Sequence, residues 1–359
     1  MRTNEILVSL EKILNSGWIG LGPEVSKFEE NIKNFINSEY VTATSSCSSA
    51  LQISIKSLKL EPNSQIATTP ITFVSTNHAI LHEGMIPIFV DVDPLTGNIT
   101  PKALKETIVK FPKIKCLIVV HLGGYPCDMD EIQQICKESG IIIIEDCAHA
   151  FGASYKGKMI GDSNNICCWS FQAVKNMPIG DGGAITTKNY QQDILFKKLR
   201  WMGIDKDTVS RSQSGYKWDY DVTELGYKCF MNDIAAAIGN VQIKYINQDN
   251  DRRKQIAEYY RENIKTAVKP SYLNDRKSSY HFYPLFFEEK EKIYNKLIEN
   301  EIYPGVHYKL NTRYSMYSKC LYAGDLSGAL EYERTQLTLP IHTKLKDHDI
   351  EKVVSIVNS

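Results

Sequence analysis

This 359-residue chain has no excess charge of either sign: Lys+Arg and Asp+Glu number 42 each, so the formal net charge is zero. A general nucleic-acid binder carries a basic excess and a disordered acidic chain the reverse, so both classes are set aside. Long apolar runs are also missing. The longest aliphatic stretch, Ile141 to Ile144, falls far short of a membrane span. The opening Met1-Arg2-Thr3-Asn4-Glu5 leads into a segment interrupted by Glu11, Lys12 and Asn15, without the apolar centre of a signal peptide. Cysteine is present but lacks zinc spacing. Cys47, Cys116, Cys127, Cys136, Cys147, Cys167, Cys168, Cys229 and Cys320 are scattered, several inside apolar runs, and read as reduced thiols of a cytoplasmic protein rather than a disulfide framework. No Gly-x-Gly-x-x-Gly follows the first strand candidate, which disfavours a Rossmann dehydrogenase. Internal repeats and low-complexity tracts are absent.

What is there is an alternation. β-rich runs at 40–44, 65–69, 86–91, 115–120, 141–146, 165–170 and 184–187 are separated by amphipathic stretches. Thr100-Pro101 predicts an N-cap with Pro at the first helical position, and Asp128 with Glu131 predicts a capping box. Ser48 precedes the helical stripe Leu51, Ile55, Leu58. Strands alternating with helices predict an α/β fold with a mostly parallel sheet covered on both faces. After Asp233 the texture changes. A long helical pattern runs from Ala235 through Tyr245 and Tyr259, followed by a strand at 280–287, a helix at 288–300 and a second strand at 305–308. The expected division is a large domain over 1–239 and a smaller α+β domain over 240–359. The polar stretch 205–215 is expected to be a mobile loop.

Ligands of such sheets bind at the carboxyl ends of the strands, and three polar clusters fall there. Lys175 follows an apolar strand and precedes Gly180-Asp-Gly-Gly183. A lysine at buried strand ends loses solvation, which depresses its pKa and makes its amine a nucleophile suited to Schiff-base chemistry with an aldehyde cofactor. Alone, Lys175 would read as a surface lysine. Asp146 closes the isoleucine run, and a carboxylate at that depth needs a cationic partner; a protonated pyridine nitrogen would serve. His149 stands three residues on, able to pack on the same ring or to fill the turn. Ser45-Ser-Cys-Ser-Ser49 opens a helix, where free amides and hydroxyls make a phosphate site; plain capping would account for one serine, not four.

Together these segments resemble a named family. Gly17-Trp-Ile-Gly-Leu-Gly-Pro23 with Phe28-Glu29, Ser46-Cys-Ser-Ser-Ala-Leu51, Thr72-Phe-Val-Ser-Thr76 and His121-Leu-Gly-Gly-Tyr-Pro-Cys-Asp-Met-Asp130 are similar to the DegT-type sugar aminotransferases. So are Glu145-Asp-Cys-Ala-His-Ala-Phe-Gly-Ala153, the run from Ser170 to Gly183, Leu225-Gly-Tyr-Lys-Cys-Phe-Met-Asn-Asp-Ile234, Gly305-Val-His-Tyr308 and Leu339-Pro340. The resemblance covers nearly the whole chain in order. It implies the aspartate-aminotransferase fold, a homodimer with shared sites, and pyridoxal phosphate as cofactor for moving an amino group from glutamate to a keto sugar, nucleotide-linked in the expected case. Carried over by position, Lys175 would hold the cofactor and shuttle protons. Asp146 would pair with the ring nitrogen, His149 would lie beside the ring and Phe73 would stack on its face. Ser48, Ser49 and Ser170 would bind the phosphate, which Lys228 would reach from a second subunit. His307, Tyr308 and Arg313 fall where substrate is touched.

Three departures stand out. Cys47 occupies a position usually held by Gly, Lys228 replaces a common Asn, and the usual Pro and second His after Tyr308 give way to Lys309-Leu-Asn-Thr-Arg313. Arg313 reads equally as an anion contact and as a solvated loop charge. His78 and His82 have helical spacing for zinc but no obvious third ligand. A non-catalytic regulator of the same fold would have no need of Lys175, and a dehydratase of the family typically has His there. An aminotransferase acting on a non-sugar keto substrate stays open.

Overall fold

A computed structural model describes residues 2–205 and 220–359. The stretch 205–215, expected to be a loop, lies beyond Asp205 outside the described residues.

The predicted strands form at nearly the expected places: β1 (Tyr40–Thr44), β2 (Gln65–Thr68), β3 (Ile86–Phe89), β4 (Ile114–Val120) and β5 (Ile142–Asp146). A small hairpin, β6 (Ser154–Tyr155) and β7 (Lys158–Met159), precedes β8 (Ile166–Ser170) and β9 (Gly183–Thr187). Later come β10 (Arg276–Lys277), β11 (Pro284–Phe286), β12 (Leu321–Tyr322) and β13 (Gln336–Thr338). The main sheet has eight strands in the order β1-β9-β8-β5-β4-β2-β3-β12. From β8 through β12 neighbouring strands are parallel, whereas β9 runs antiparallel to both β8 and β1. The sheet is therefore mixed and mostly parallel, as the alternation of strands and helices predicted. β10 pairs with β6, and β11 with β13, in two small antiparallel sheets.

Parity along the strands assigns the two faces. Leu117, Val119 and Ile143 enter one core with Leu104 and Ile132, while Cys116, Ile118 and Ile144 enter another with Leu51, Ile55 and Ile80. Both faces are thus covered, and Glu145 and Asp146 leave β5 on opposite sides. A further core, Ile256, Tyr260, Leu285, Leu297, Leu337 and Val353, is built wholly from the C-terminal region.

Some local expectations are corrected. Thr100 caps its helix by accepting from the amide of Ala103 at 3.1 Å, but Asp128 makes no cap. Its carboxylate instead pairs with Arg276 at 2.7 Å, and a charge partner outcompetes a backbone amide. Residues 305–308 do not form a strand. Only Gly305 bridges to Thr338, because the amide of His307 donates to the side chain of Gln336 at 3.0 Å instead of to a neighbouring strand. The strand expected at 280–287 shrinks to Pro284–Phe286. The long helical pattern is helix Asp233–Gln242, a tight turn at Ile243–Tyr245, and helix Ile246–Asn263. All nine cysteines are free. Among the described residues, no helix is long and apolar enough to cross a membrane.

Candidate active site

Asp146 ends β5 as a buried carboxylate. Its Oδ2 accepts from the Thr76 hydroxyl at 2.7 Å and its Oδ1 from the Ala148 amide at 3.1 Å. Burial raises its pKa, partly offset by these bonds and by the charge of Lys175. Lys175 sits in the turn after β8. Burial pulls its amine below the ordinary lysine value, while Asp146 works against that shift. The two groups therefore share one electrostatic site, and Asp146 forms no ion pair with any side chain among the described residues.

The serine turn lies beside them. Ser46, in extended backbone, caps the helix Cys47–Ser57 by accepting from the Ser49 amide at 3.1 Å. The cap is Ser46 and not Ser48, which lies inside the first turn. The Ser49 hydroxyl contacts those of Ser45 and Ser46 at 3.2 and 3.0 Å. The amides of Cys47 and Ser48 donate to no acceptor among the described residues, as expected of first-turn N–H groups awaiting a ligand. Strand register completes the arrangement: Gly183 pairs with Ser170 on one side and Thr44 on the other. A Cβ at Gly183 would lie 2.4 Å from the Ser46 carbonyl carbon and 2.6 Å from the Cys47 nitrogen, so only glycine lets β9 press against this turn. The Cys47 thiol, raised well above its ordinary pKa by burial, lies 3.9 Å from Asp146 Oδ1. The wider side chain at the family's glycine position is thus accommodated inside the site.

His149 is buried with its ring stacked on His281, centroids 4.4 Å apart. Its Nε2 meets the Tyr308 hydroxyl at 3.2 Å, and its buried Nδ1 has no partner. Burial, helped by Lys175, holds His149 well below the usual histidine pKa. His307 contacts the Thr338 hydroxyl through Nδ1 at 2.8 Å, and burial lowers its pKa to about 4. Phe73 is not a core residue; it is 59% exposed, with its ring 6.4 Å from that of Tyr308 at the mouth of the site. Lys228 is exposed and forms no ion pair among the described residues. Its neighbour Cys229 accepts from the Ser45 amide at 2.7 Å, so the segment adjoins the serine turn. Arg313 pairs with Glu333 at 2.7 Å and makes no hydrogen bond or ion pair with Lys175, Asp146 or His149.

Three contributors carried no role in the sequence reading. Thr76 anchors Asp146. His281 stacks on His149 and contacts Asn176 Oδ1 at 3.0 Å. Behind β5, on the face opposite Asp146, buried His121 meets Glu145 at 2.9 Å. Burial would raise the Glu145 pKa, but this bond and those from Asn165 and Ser163 lower it instead. His121, Glu145 and Cys147 are also close enough to share a metal. The His121 ring is already used at both nitrogens, with Nδ1 accepting from the Cys127 amide at 3.1 Å. A second carboxylate next to Asp146 in a buried strand was the available signal for this pair.

The residues present fit pyridoxal phosphate: free amides and hydroxyls for a phosphate, an unpaired buried carboxylate for a ring N–H, and a desolvated amine for an aldehyde. Fold and site together define the class, a pyridoxal-phosphate-dependent sugar aminotransferase. The chain belongs to the DegT/DnrJ/EryC1/StrS aminotransferase family, whose sequence profile matches residues 1–358. It is 32% identical over 365 residues to the spore coat polysaccharide biosynthesis protein SpsC of Bacillus subtilis, spanning 98% of this chain and 93% of that one. It is 31% identical over 357 residues to the UDP-4-amino-4,6-dideoxy-N-acetyl-beta-L-altrosamine transaminase of Campylobacter jejuni, spanning 96% and 92%. Among solved structures, the sugar aminotransferase CalS13 of Micromonospora echinospora superposes with a TM-score of 0.90 at 27% identity, covering 98% of this chain and 96% of that one. The PLP form of Spr1654 from Streptococcus pneumoniae gives a TM-score of 0.90 at 25% identity, covering 100% and 96%.

Proposed function

We propose that this protein moves an amino group from glutamate to the 4-keto or 3-keto carbon of a nucleotide-linked 6-deoxyhexose, for surface-polysaccharide or glycan biosynthesis in the cytoplasm. The observation that carries the reading is Asp146: a buried carboxylate with both oxygens bonded by neutral donors and Lys175 as the charge beside it. The Campylobacter relative, by its name a nucleotide-sugar transaminase, supports the substrate class.

Bound pyridoxal phosphate supplies an aldehyde that takes up an amino group and a ring that accepts electrons when a C–H bond breaks. Everything else falls to the chain. Asp146, when ionised, would pair with the ring nitrogen and keep a proton there. Lys175, depressed in pKa by burial, would hold the aldehyde group and would carry the proton at its Nζ when substrate takes its place. Cys47 and Ser48 amides with the Ser49 and Ser170 hydroxyls bind the phosphate, and His149 and Phe73 confine the ring. His307 and Tyr308 border the space left for the sugar.

We further infer a two-fold dimer in which exposed Lys228 reaches the serine turn of a second copy. Support comes from the exposed apolar side chains of Met202, Val222 and Leu225 in the same region.

The test is a half-reaction on the purified, cofactor-loaded protein. Glutamate alone should replace the visible absorbance with that of the aminated cofactor, and a keto sugar nucleotide should restore it. An unchanged spectrum with glutamate would refute the donor; failure of every keto sugar to restore it would refute the acceptor class.

A further inference from the structure

A groove of about 610 Å3 runs from Lys175 past His281, Phe282 and His307 to Arg253. Arg253 is only 8% exposed. Its Nη1 donates to the carbonyls of His281 at 3.3 Å and Ile341 at 2.9 Å, whereas Nε is buried without any acceptor. No ion pair forms at this guanidinium among the described residues. Asp249 lines the same groove, but its carboxylate is bonded by Arg2 at 3.1 Å. Burial lowers the Arg253 pKa to about 10, with Asp249 opposing the shift. A guanidinium so deep, with part of its donor set unused, is poised for an anion that the protein itself does not provide.

Position narrows the anion. The guanidinium bonds the carbonyl of His281, whose ring stacks on His149 beside Lys175. Arg253 and Lys175 thus line one groove, and the guanidinium is tied to the ring pair through the His281 backbone. An amino acid whose amine meets Lys175 and whose second carboxylate extends along this groove would bring that carboxylate to the guanidinium.

We propose that Arg253 binds the side-chain carboxylate of the amino donor and so selects a dicarboxylic amino acid over a monocarboxylic one. This rests on the transaminase reading above and names the residue that chooses the donor. The probe is glutarate, which carries both carboxylates and no amine, compared with butyrate by calorimetry on the holoenzyme. Glutarate should bind about tenfold or more tightly than butyrate, the order expected of one charge-assisted fork. Arg253→Gln should erase that difference, and Arg253→Lys should restore part of it. Equal binding of the two acids to the wild type would overturn the proposal, as would a difference that survives Arg253→Gln. The wild-type comparison stands even if the variants fold poorly. In the half-reaction, glutamate should outpace 2-aminobutyrate. Equal rates overturn the role of Arg253 alone, whereas no conversion by either amino acid would count against the transaminase reading itself.

Discussion

Thr76 donates its hydroxyl proton to Asp146 Oδ2 at 2.7 Å, which leaves Thr72, 2.9 Å away, to donate in turn to the Thr76 oxygen. The helix that starts at Ser75 thereby holds the strand-end carboxylate in place from the side. This short relay orients the carboxylate that the proposed function requires to be ionised.

Thr76→Val keeps the shape and removes the donor. A hydrogen bond to a charged group contributes about 1.5–3 kcal/mol, so turnover should fall about tenfold or more. The Thr76 bond lowers the Asp146 pKa, and its loss lets burial raise that pKa further. The acidic limb of the kcat profile should therefore move to higher pH. A pH–rate profile with an unmoved limb would contradict this.

Gly183→Ala places a methyl group within 2.6 Å of the Ser46–Cys47 backbone. Overpacking of this kind costs about 1–3 kcal/mol. The serine turn should shift, so cofactor should dissociate faster in dilution experiments, and the melting temperature should drop. Tight retention of cofactor in this variant would show that β9 does not shape the turn.

Acid should destabilise the protein through its buried histidines. Burial lowers His149 and His281 well below 6.5 and His307 to about 4. Between pH 6.5 and 4 the unfolded chain takes up protons that the folded chain refuses, so stability is present above this window and lost as pH falls through it. Melting temperatures measured across that range should decline, and less steeply in His307→Gln. Parallel curves for wild type and variant would exclude His307 as a contributor.

Much of the site was legible because it is local. Lys175, Asp146 and the serine turn each follow an apolar run within a few residues, and an α/β sheet brings such strand ends together. His281 and Arg253 gave no such signal. Each meets the site from a distant stretch of sequence, His281 through stacking on His149 and Arg253 through the groove shared with Lys175. The serine run left its own register open. Any of four hydroxyls has the chemistry of a cap, and only the extended backbone at Ser46, φ −164° and ψ 164°, selects one. Residues 305–308 looked strand-like by composition, but the ladder failed because side chains of Gln336 and Thr338 take up the polar groups of His307.

The dimer has its own test. If Lys228 serves the site of a second copy, mixing Lys175→Ala with Lys228→Ala protein should regain activity, since one site per mixed dimer then has both lysines. If Lys228 serves its own chain, mixing should restore nothing.

The most direct measurement is borohydride reduction of the cofactor-loaded protein followed by peptide mass analysis. One reduced cofactor per chain is expected, fixed to the peptide containing Lys175 and missing from Lys175→Ala. Label on a different lysine, or undiminished labelling of Lys175→Ala, would contradict it.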